Sequence, residues 1–235
     1  ENGIYLEYDG DKNDNRVPDP DEIGIHKLKG DGDFRSEECI KLLKQADIVV
    51  TNPPFSLYRE YVAQLVRHNK KFLIVGTWNA ITYKEIFKSI KANKLWIGVN
   101  SNRNFSGFIV PKHYSLHGTE ARVDENGNRI VSTNTTCWFT NLDIKKRHED
   151  LILYKTHNPR EFPNYDNYDA IEVSLVKNIP SDYKGVMGVP ISFLNKYNPE
   201  QFEILGATQR GCHDEVPDTK KYDNYWEVRQ DGKKT

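Results

Sequence analysis

A stiff four-residue turn, Asn52-Pro53-Pro54-Phe55, constrains this chain more than any other feature. The apolar run Ile48-Val49-Val50 precedes it and reads as a short buried strand, while Tyr58 to Val66 follows and reads as a helix. Two consecutive prolines fix two φ angles and remove two backbone donors, so the chain leaves the strand along one path with its carbonyls open. Open α/β sheets bind ligands just beyond the carboxyl ends of their strands, which is where this turn falls.

The turn offers a carboxamide, an adjacent carbonyl and an aromatic ring. Two acceptors and a stacking face suit a planar group bearing –NH2, whose two N–H bonds need two acceptors. That set points to methylation of an amino group. A plainer reading has Asn52 capping the helix with the prolines in its first turn. The four residues alone leave the two readings level.

Strands and helices alternate around the turn. Gly3 to Tyr8 and Ile23 to Leu28 read as paired strands joined by a polar loop that begins Asp9-Gly10-Asp11-Lys12-Asn13-Asp14-Asn15. Glu37 to Lys44 reads as a helix capped by Ser36, Asp47 to Val50 as a strand, and Lys71 to Gly76 as another. Tyr83 to Ala92 completes the helices and Leu95 to Val99 the strands of this stretch. Such alternation predicts an α/β fold with a doubly wound, mostly parallel sheet. Residues 101–135 are rich in Asn, Gly and Ser, with a hairpin-like Glu125-Asn126-Gly127-Asn128. Thr136 to Leu142 and Asp150 to Tyr154 read as strands returning to the sheet, and a Tyr/Asn-rich, loop-rich region follows.

The 33 basic and 34 acidic residues leave a formal charge of -1, which excludes a broad basic field, so any nucleic-acid contact must rest on local clusters. Lys145-Lys146-Arg147-His148 is one such cluster, although a charge run is more often a solvated face. Three scattered cysteines (Cys39, Cys137, Cys212) form no disulfide or metal framework and fit a cytoplasmic protein. No apolar run is long enough to span a membrane. The chain opens at Glu1 and stops inside Asp231-Gly232-Lys233-Lys234-Thr235, and both ends read as cuts in something larger.

The run Gly30-Asp31-Gly32-Asp33-Phe34, a helix, then Asp47 to Phe55 resembles amino-methyltransferases. Tyr8 to Asn13, Asn79 to Tyr83, Cys137 to Leu142, Lys146 to Asp150 and Gly185 to Phe193 extend the likeness over nearly the whole chain. Together they resemble the EcoRI-like family of adenine-specific DNA methyltransferases. The resemblance implies transfer of a methyl group from S-adenosylmethionine to the exocyclic nitrogen of adenine in double-stranded DNA. It implies a Rossmann-like sheet, with 1–100 a partial catalytic core and 101–235 the remaining core strands plus a DNA target-recognition region. By the same resemblance Asn52 and the Pro53 carbonyl hold the adenine amino group, beside Pro54, and Phe55 stacks on the flipped base. Asp33 and Phe34 border the adenosyl part of the cofactor. A cognate restriction endonuclease acting on the same site is an implied partner. Family members also carry an upstream first cofactor-binding strand and loop to which nothing here corresponds.

Other readings compete. Asn-Pro-Pro-aromatic turns also serve methylation of RNA guanine and protein glutamine, whose targets are planar amines too. The Asp9–Asn15 loop resembles the start of a calcium loop, which would make the chain a calcium-stabilised interaction module. Yet Asp14 stands where that loop needs Gly, and Pro20 where it needs Glu. A solvated hairpin loop is the better expectation. His26, His68 and His148 have no partner at ligand spacing, and Cys39 reads as core packing.

Overall fold

The computed structural model describes residues 2–101, 107–116, 121–131 and 135–208. Glu1, Cys212 and the charged end Asp231–Thr235 lie outside the described residues. The chain divides into two compact units, Glu1–Ile74 and Val75–Thr235.

In the first unit, β1 (Ile4–Tyr8) pairs antiparallel with β2 (Ile23–Lys27), Leu6 opposite Ile25. Only a loop ending in a 3-10 turn at Pro20–Glu22 separates them, and neighbouring strands without a crossover pair antiparallel. In the connecting loop, the Asp11 carboxylate accepts from Asn13 N–H, and Asp19 accepts from the Asn13 and Asn15 amides. Glu22 is buried and accepts Lys12 N–H at 2.7 Å. These carboxylates organise the loop through its own donors. Among the described residues there is no group of three His, Cys, Asp or Glu side chains that could hold a metal ion.

Helix α1 (Glu37–Gln45) begins where expected, with Ser36 accepting Cys39 N–H at 3.2 Å. Strand β3 (Ile48–Thr51), helix α2 (Tyr58–Arg67) and strand β4 (Lys71–Thr77) follow. The two strands are parallel, Val49 opposite Phe72 and Thr51 opposite Ile74. Parallel pairing needs a crossover, which α2 provides. Tyr58, Val62 and Leu65 recur at helical spacing and are buried, as are Phe72 and Ile74 on β4.

The second unit contains α3 (Lys84–Lys91) and β5 (Trp96–Ile97), which pairs antiparallel with β9 (Thr136–Thr140). The largest sheet has the strand order β3-β4-β9-β5. Strands β6 (Phe108–Val110), β7 (Arg122–Val123) and β8 (Arg129–Val131) form a separate antiparallel sheet. The expected hairpin joins β7 to β8: Gly127 adopts φ 78°, and Asp124 accepts from Asn126 and Asn128. A short parallel pair, β10 (Ile171–Glu172) with β11 (Met187–Gly188), belongs to a second core of Phe162, Ile171, Val173, Ile179, Phe193 and Tyr197. The architecture is thus mixed α/β with several sheets.

The strand expected over Asp150 to Tyr154 is absent. Leu151 and Leu153 do alternate inward, packing against the second core. However, the Gln201 side chain takes both backbone groups of Leu151, accepting its N–H at 2.7 Å and donating to its carbonyl at 2.9 Å. A side-chain amide stands where a neighbouring strand would be.

Candidate active site

Thr51 ends β3 and the chain turns through Asn52, Pro53 and Pro54 into a 3-10 turn at Phe55–Leu57, from which α2 starts. Pro53 is buried and anchors the turn, whereas Asn52, Pro54 and Phe55 are exposed. The capping reading fails. The residue before α2 is Leu57, with no side-chain cap bond, and Pro54 precedes the 3-10 turn, its carbonyl accepting Leu57 N–H at 3.1 Å. Among the described residues no hydrogen bond engages the Asn52 carboxamide, and no backbone N–H donates to the Pro53 carbonyl. The Asn52 carboxamide therefore stands open to a ligand next to an aromatic ring that is 49% exposed, and the adjacent Pro53 carbonyl is unengaged by the described residues.

Asp33 and Phe34 lie in the turn before α1. Gly32 takes φ 86°, the left-handed conformation that glycine supplies at least cost, and Asp33 then caps its own turn by accepting Arg35 N–H at 2.8 Å. The Arg35 guanidinium forks onto the same carboxylate at 2.6–3.2 Å. These bonds from the side chain and backbone of Arg35 pull the Asp33 carboxyl down to about 2, so it is anionic at any physiological pH. Phe34 is half-buried, its ring edge-on to Tyr61 at 5.1 Å and under the Arg35 guanidinium at 5.5 Å. Its carbonyl accepts the Gln64 amide at 2.8 Å. An anionic acceptor beside an aromatic ring fits an adenosyl group, whose amine and hydroxyls donate and whose base stacks. The site expectation named both segments. It missed Arg35, Glu60, Tyr61 and Gln64, which hold the Asp33–Phe34 segment and carry no motif of their own.

The basic cluster is not an open cationic patch. Lys145–His148 forms a 3-10 turn in which Arg147 is buried, stacked on Trp96 at 3.9 Å and donating to Asn93 at 2.7 Å. Lys146 donates to the Gly98 carbonyl and the Asn195 side chain, and burial lowers its pKa. His148 bridges Asp143 and Glu200. Charge density in sequence therefore marked a structural joint. Cys137 is buried, which pushes its thiol up to about 12 and makes it inert. Cys39, expected in the core, is only partly buried. A groove of 880 Å³ in the second unit is lined by residues such as Tyr165, Tyr183, Met187 and Phe202, and by none of the six expected site residues. Among the described residues no helix is long and apolar enough to cross a membrane.

The family described as "Adenine-specific methyltransferase EcoRI" matches residues 1–235. The type II methyltransferase M.EcoRI of Escherichia coli is 58% identical over 206 residues, covering 87% of this chain and 63% of the relative. M.MgeORF184P of Mycoplasma genitalium is 45% identical over 193 residues, and M.MpnI of Mycoplasma pneumoniae 43% over 194. Each of these two alignments covers 80% of this chain and 60% of the relative, so the chain spans rather less than two thirds of the curated relatives it matches. No solved structure matches it. A match from the first residue to the last, together with a relative 58% identical over 87% of the chain, shows that the chain belongs to the EcoRI family of adenine-specific methyltransferases.

Proposed function

We propose that the protein to which this chain belongs transfers a methyl group from S-adenosylmethionine to the exocyclic amine of adenine in double-stranded DNA, in a cytoplasmic restriction-modification system with a cognate endonuclease. The observation that carries this reading is the exposed, unengaged Asn52 carboxamide, with the unengaged Pro53 carbonyl next to it, beside the half-exposed Phe55 ring. An aromatic amine delocalises its lone pair into the ring and is a poor nucleophile. Asn52 Oδ1 and the Pro53 carbonyl accept its two N–H bonds from one side, which draws the nitrogen towards sp³ and turns the lone pair outward. No prior deprotonation is needed, and the acceleration comes from orientation and from acceptors that strengthen as charge develops. S-adenosylmethionine, when bound, supplies the electrophilic methyl group. Asp33 would accept from its adenosyl portion and Phe34 would pack on it. The adenine must leave the duplex at a cost of about a few kcal/mol, which Phe55 offsets by stacking.

On this reading 1–100 is a partial catalytic core of a doubly wound, Rossmann-like sheet, and 101–235 holds further core strands and the DNA-recognition region. The relatives' additional length supplies the first cofactor-binding strand and loop. Apolar side chains support this, because Ile48 and Val50 share one exposed face of β3, as Ile4, Leu6 and Ile25 do on the hairpin. Contiguous apolar surface of that kind marks a face that another segment covers. Half a cofactor site keeps part of the contacts while meeting most of the entropic cost of binding.

The test compares residues 1–235 with the full-length protein. The full-length protein should yield N6-methyladenine in duplex DNA and bind S-adenosylmethionine by calorimetry, while 1–235 alone should bind it weakly and methylate nothing. Tight binding by 1–235 would show that the cofactor site is misplaced. Absence of N6-methyladenine with the full-length protein would remove the reading.

A further inference from the structure

Local bonds shape the backbone of Asp33–Arg35: Asp31 accepts Asp33 N–H, Asp33 accepts Arg35 N–H, and Ser36 N–H returns to the Asp33 carbonyl. Such short turns fix a backbone's shape but not its place in the fold. What places it is α2. The Gln64 side chain donates to the Phe34 carbonyl at 2.8 Å across 30 residues of sequence. Arg35 Nη1 reaches Glu60 Oε2 at 3.2 Å, and Tyr61 meets the edge of the Phe34 ring. Glu60, Tyr61 and Gln64 sit at i, i+1 and i+4 and so share one flank of the helix, beside the buried stripe of Tyr58, Val62 and Leu65. The helix itself follows the Asn52–Phe55 turn through the 3-10 turn at Phe55–Leu57.

We infer that α2 is a splint between the two halves of the site, and that Gln64 is a positioning residue for the cofactor-lining segment. The inference rests on the proposed methyltransferase reading and deepens it. A helix is stiff along its axis, so the acceptors before its first turn and the Phe34 peptide two turns along it keep a fixed relation. The three contacts differ in worth. Arg35–Glu60 is an exposed ion pair, and such pairs contribute little. Gln64 is partly shielded and makes a single directed bond to a backbone carbonyl, so its loss lets the Phe34 peptide rotate and its ring drift. The consequence falls on cofactor capture and not on the chemical step, because the Gln64 side chain bonds to Phe34 and, among the described residues, makes no hydrogen bond to the amine-holding turn.

The experiment uses the full-length protein. Gln64→Leu keeps bulk and removes the donor, Gln64→Glu places a carboxylate against the carbonyl, and Gln64→Lys restores a donor. S-adenosylmethionine affinity, measured by calorimetry, should fall about fivefold to tenfold in Gln64→Leu, the usual worth of one such bond. It should fall further in Gln64→Glu and recover at least in part in Gln64→Lys. The kcat at saturating cofactor, DNA affinity and the thermal midpoint should stay within about twofold or about two degrees of wild type. Unchanged cofactor affinity in Gln64→Leu overturns the inference while leaving the proposed function standing. A fall in kcat with unchanged affinity, or equal loss in all readouts, overturns it too. If the wild-type protein neither binds the cofactor nor methylates DNA, both the inference and the reading beneath it fail.

Discussion

The Asn52–Phe55 turn and the Lys145–His148 turn are both short junctions rich in chemistry-bearing side chains, and they turn out opposite. At the first, Asn52 presents an unengaged carboxamide and Phe55 an exposed ring, with only Pro53 buried. At the second, Arg147 is buried on Trp96, Lys146 is bonded to Gly98 and Asn195, and His148 bridges two carboxylates. A buried or fully bridged cation such as Arg147 has few donors left for a ligand, whereas an unengaged carboxamide keeps its whole capacity. The comparison teaches that satisfaction, not residue type, separates a site from a joint.

The largest expected effect tests the open turn. Asn52→Ala in the full-length protein should cut methyl transfer about a hundredfold or more, as loss of a transition-state acceptor does. Cofactor and DNA binding should change far less. An equal loss of binding and rate would mean that Asn52 holds the fold, and the contrast with the basic turn would collapse.

Arg147→Ala tests the joint. Removing the guanidinium leaves Trp96 uncovered and the Asn93 side chain without its donor, so chemical denaturation should show a loss of about 2–3 kcal/mol. DNA affinity of the protein that remains folded should change less than about twofold, whereas a surface phosphate contact would weaken DNA binding and reduce its salt dependence. The latter result would return the cluster to the DNA interface.

Phe55→Ala should weaken capture of the flipped base by about 1–3 kcal/mol, the range for base stacking, while Phe55→Trp keeps most activity. Fluorescence of a 2-aminopurine at the target position reads this directly. Undiminished capture in the alanine variant would make the exposed ring incidental.

The smallest effect concerns His148. Hydrogen bonds to Asp143 and Glu200 raise its pKa above the ordinary 6.5, and both ring nitrogens can donate only in the charged form. A raised folded-state pKa means that the stabilising contribution is complete below pH 6.5 and fades as pH climbs through the elevated value. Urea midpoints at pH 6 and pH 8 should therefore differ less in His148→Gln than in wild type. An unchanged difference would show that the bridge is dispensable.

Much of this was legible in the residues. Apolar periodicity placed α1, α2, β3 and β4, because the spacing of an apolar stripe is written locally. Only α2 and β4 bury theirs, and Ile48 and Val50, expected in a buried strand, are exposed on β3. Ser36 announced the start of α1, and Asn126-Gly127 announced its hairpin. The turn Asn52–Phe55 was legible because two prolines impose a path that no neighbour has to enforce. Asp150 to Tyr154 misled for a corresponding reason: alternation reports which side chains face inward, but whether a strand forms depends on what meets the backbone, and there Gln201 does.

By itself, the sequence determined the elements whose causes lie within a few residues, and the family, whose motifs run the length of the chain. Only the tertiary structure decided which polar groups are engaged. Gln64 reached Phe34 across 30 positions, and Arg147 met Trp96 and Asn93 across about 50. Hydrogen bonds and stacking are short-ranged in space and indifferent to separation along the chain, so no local pattern of residues records them.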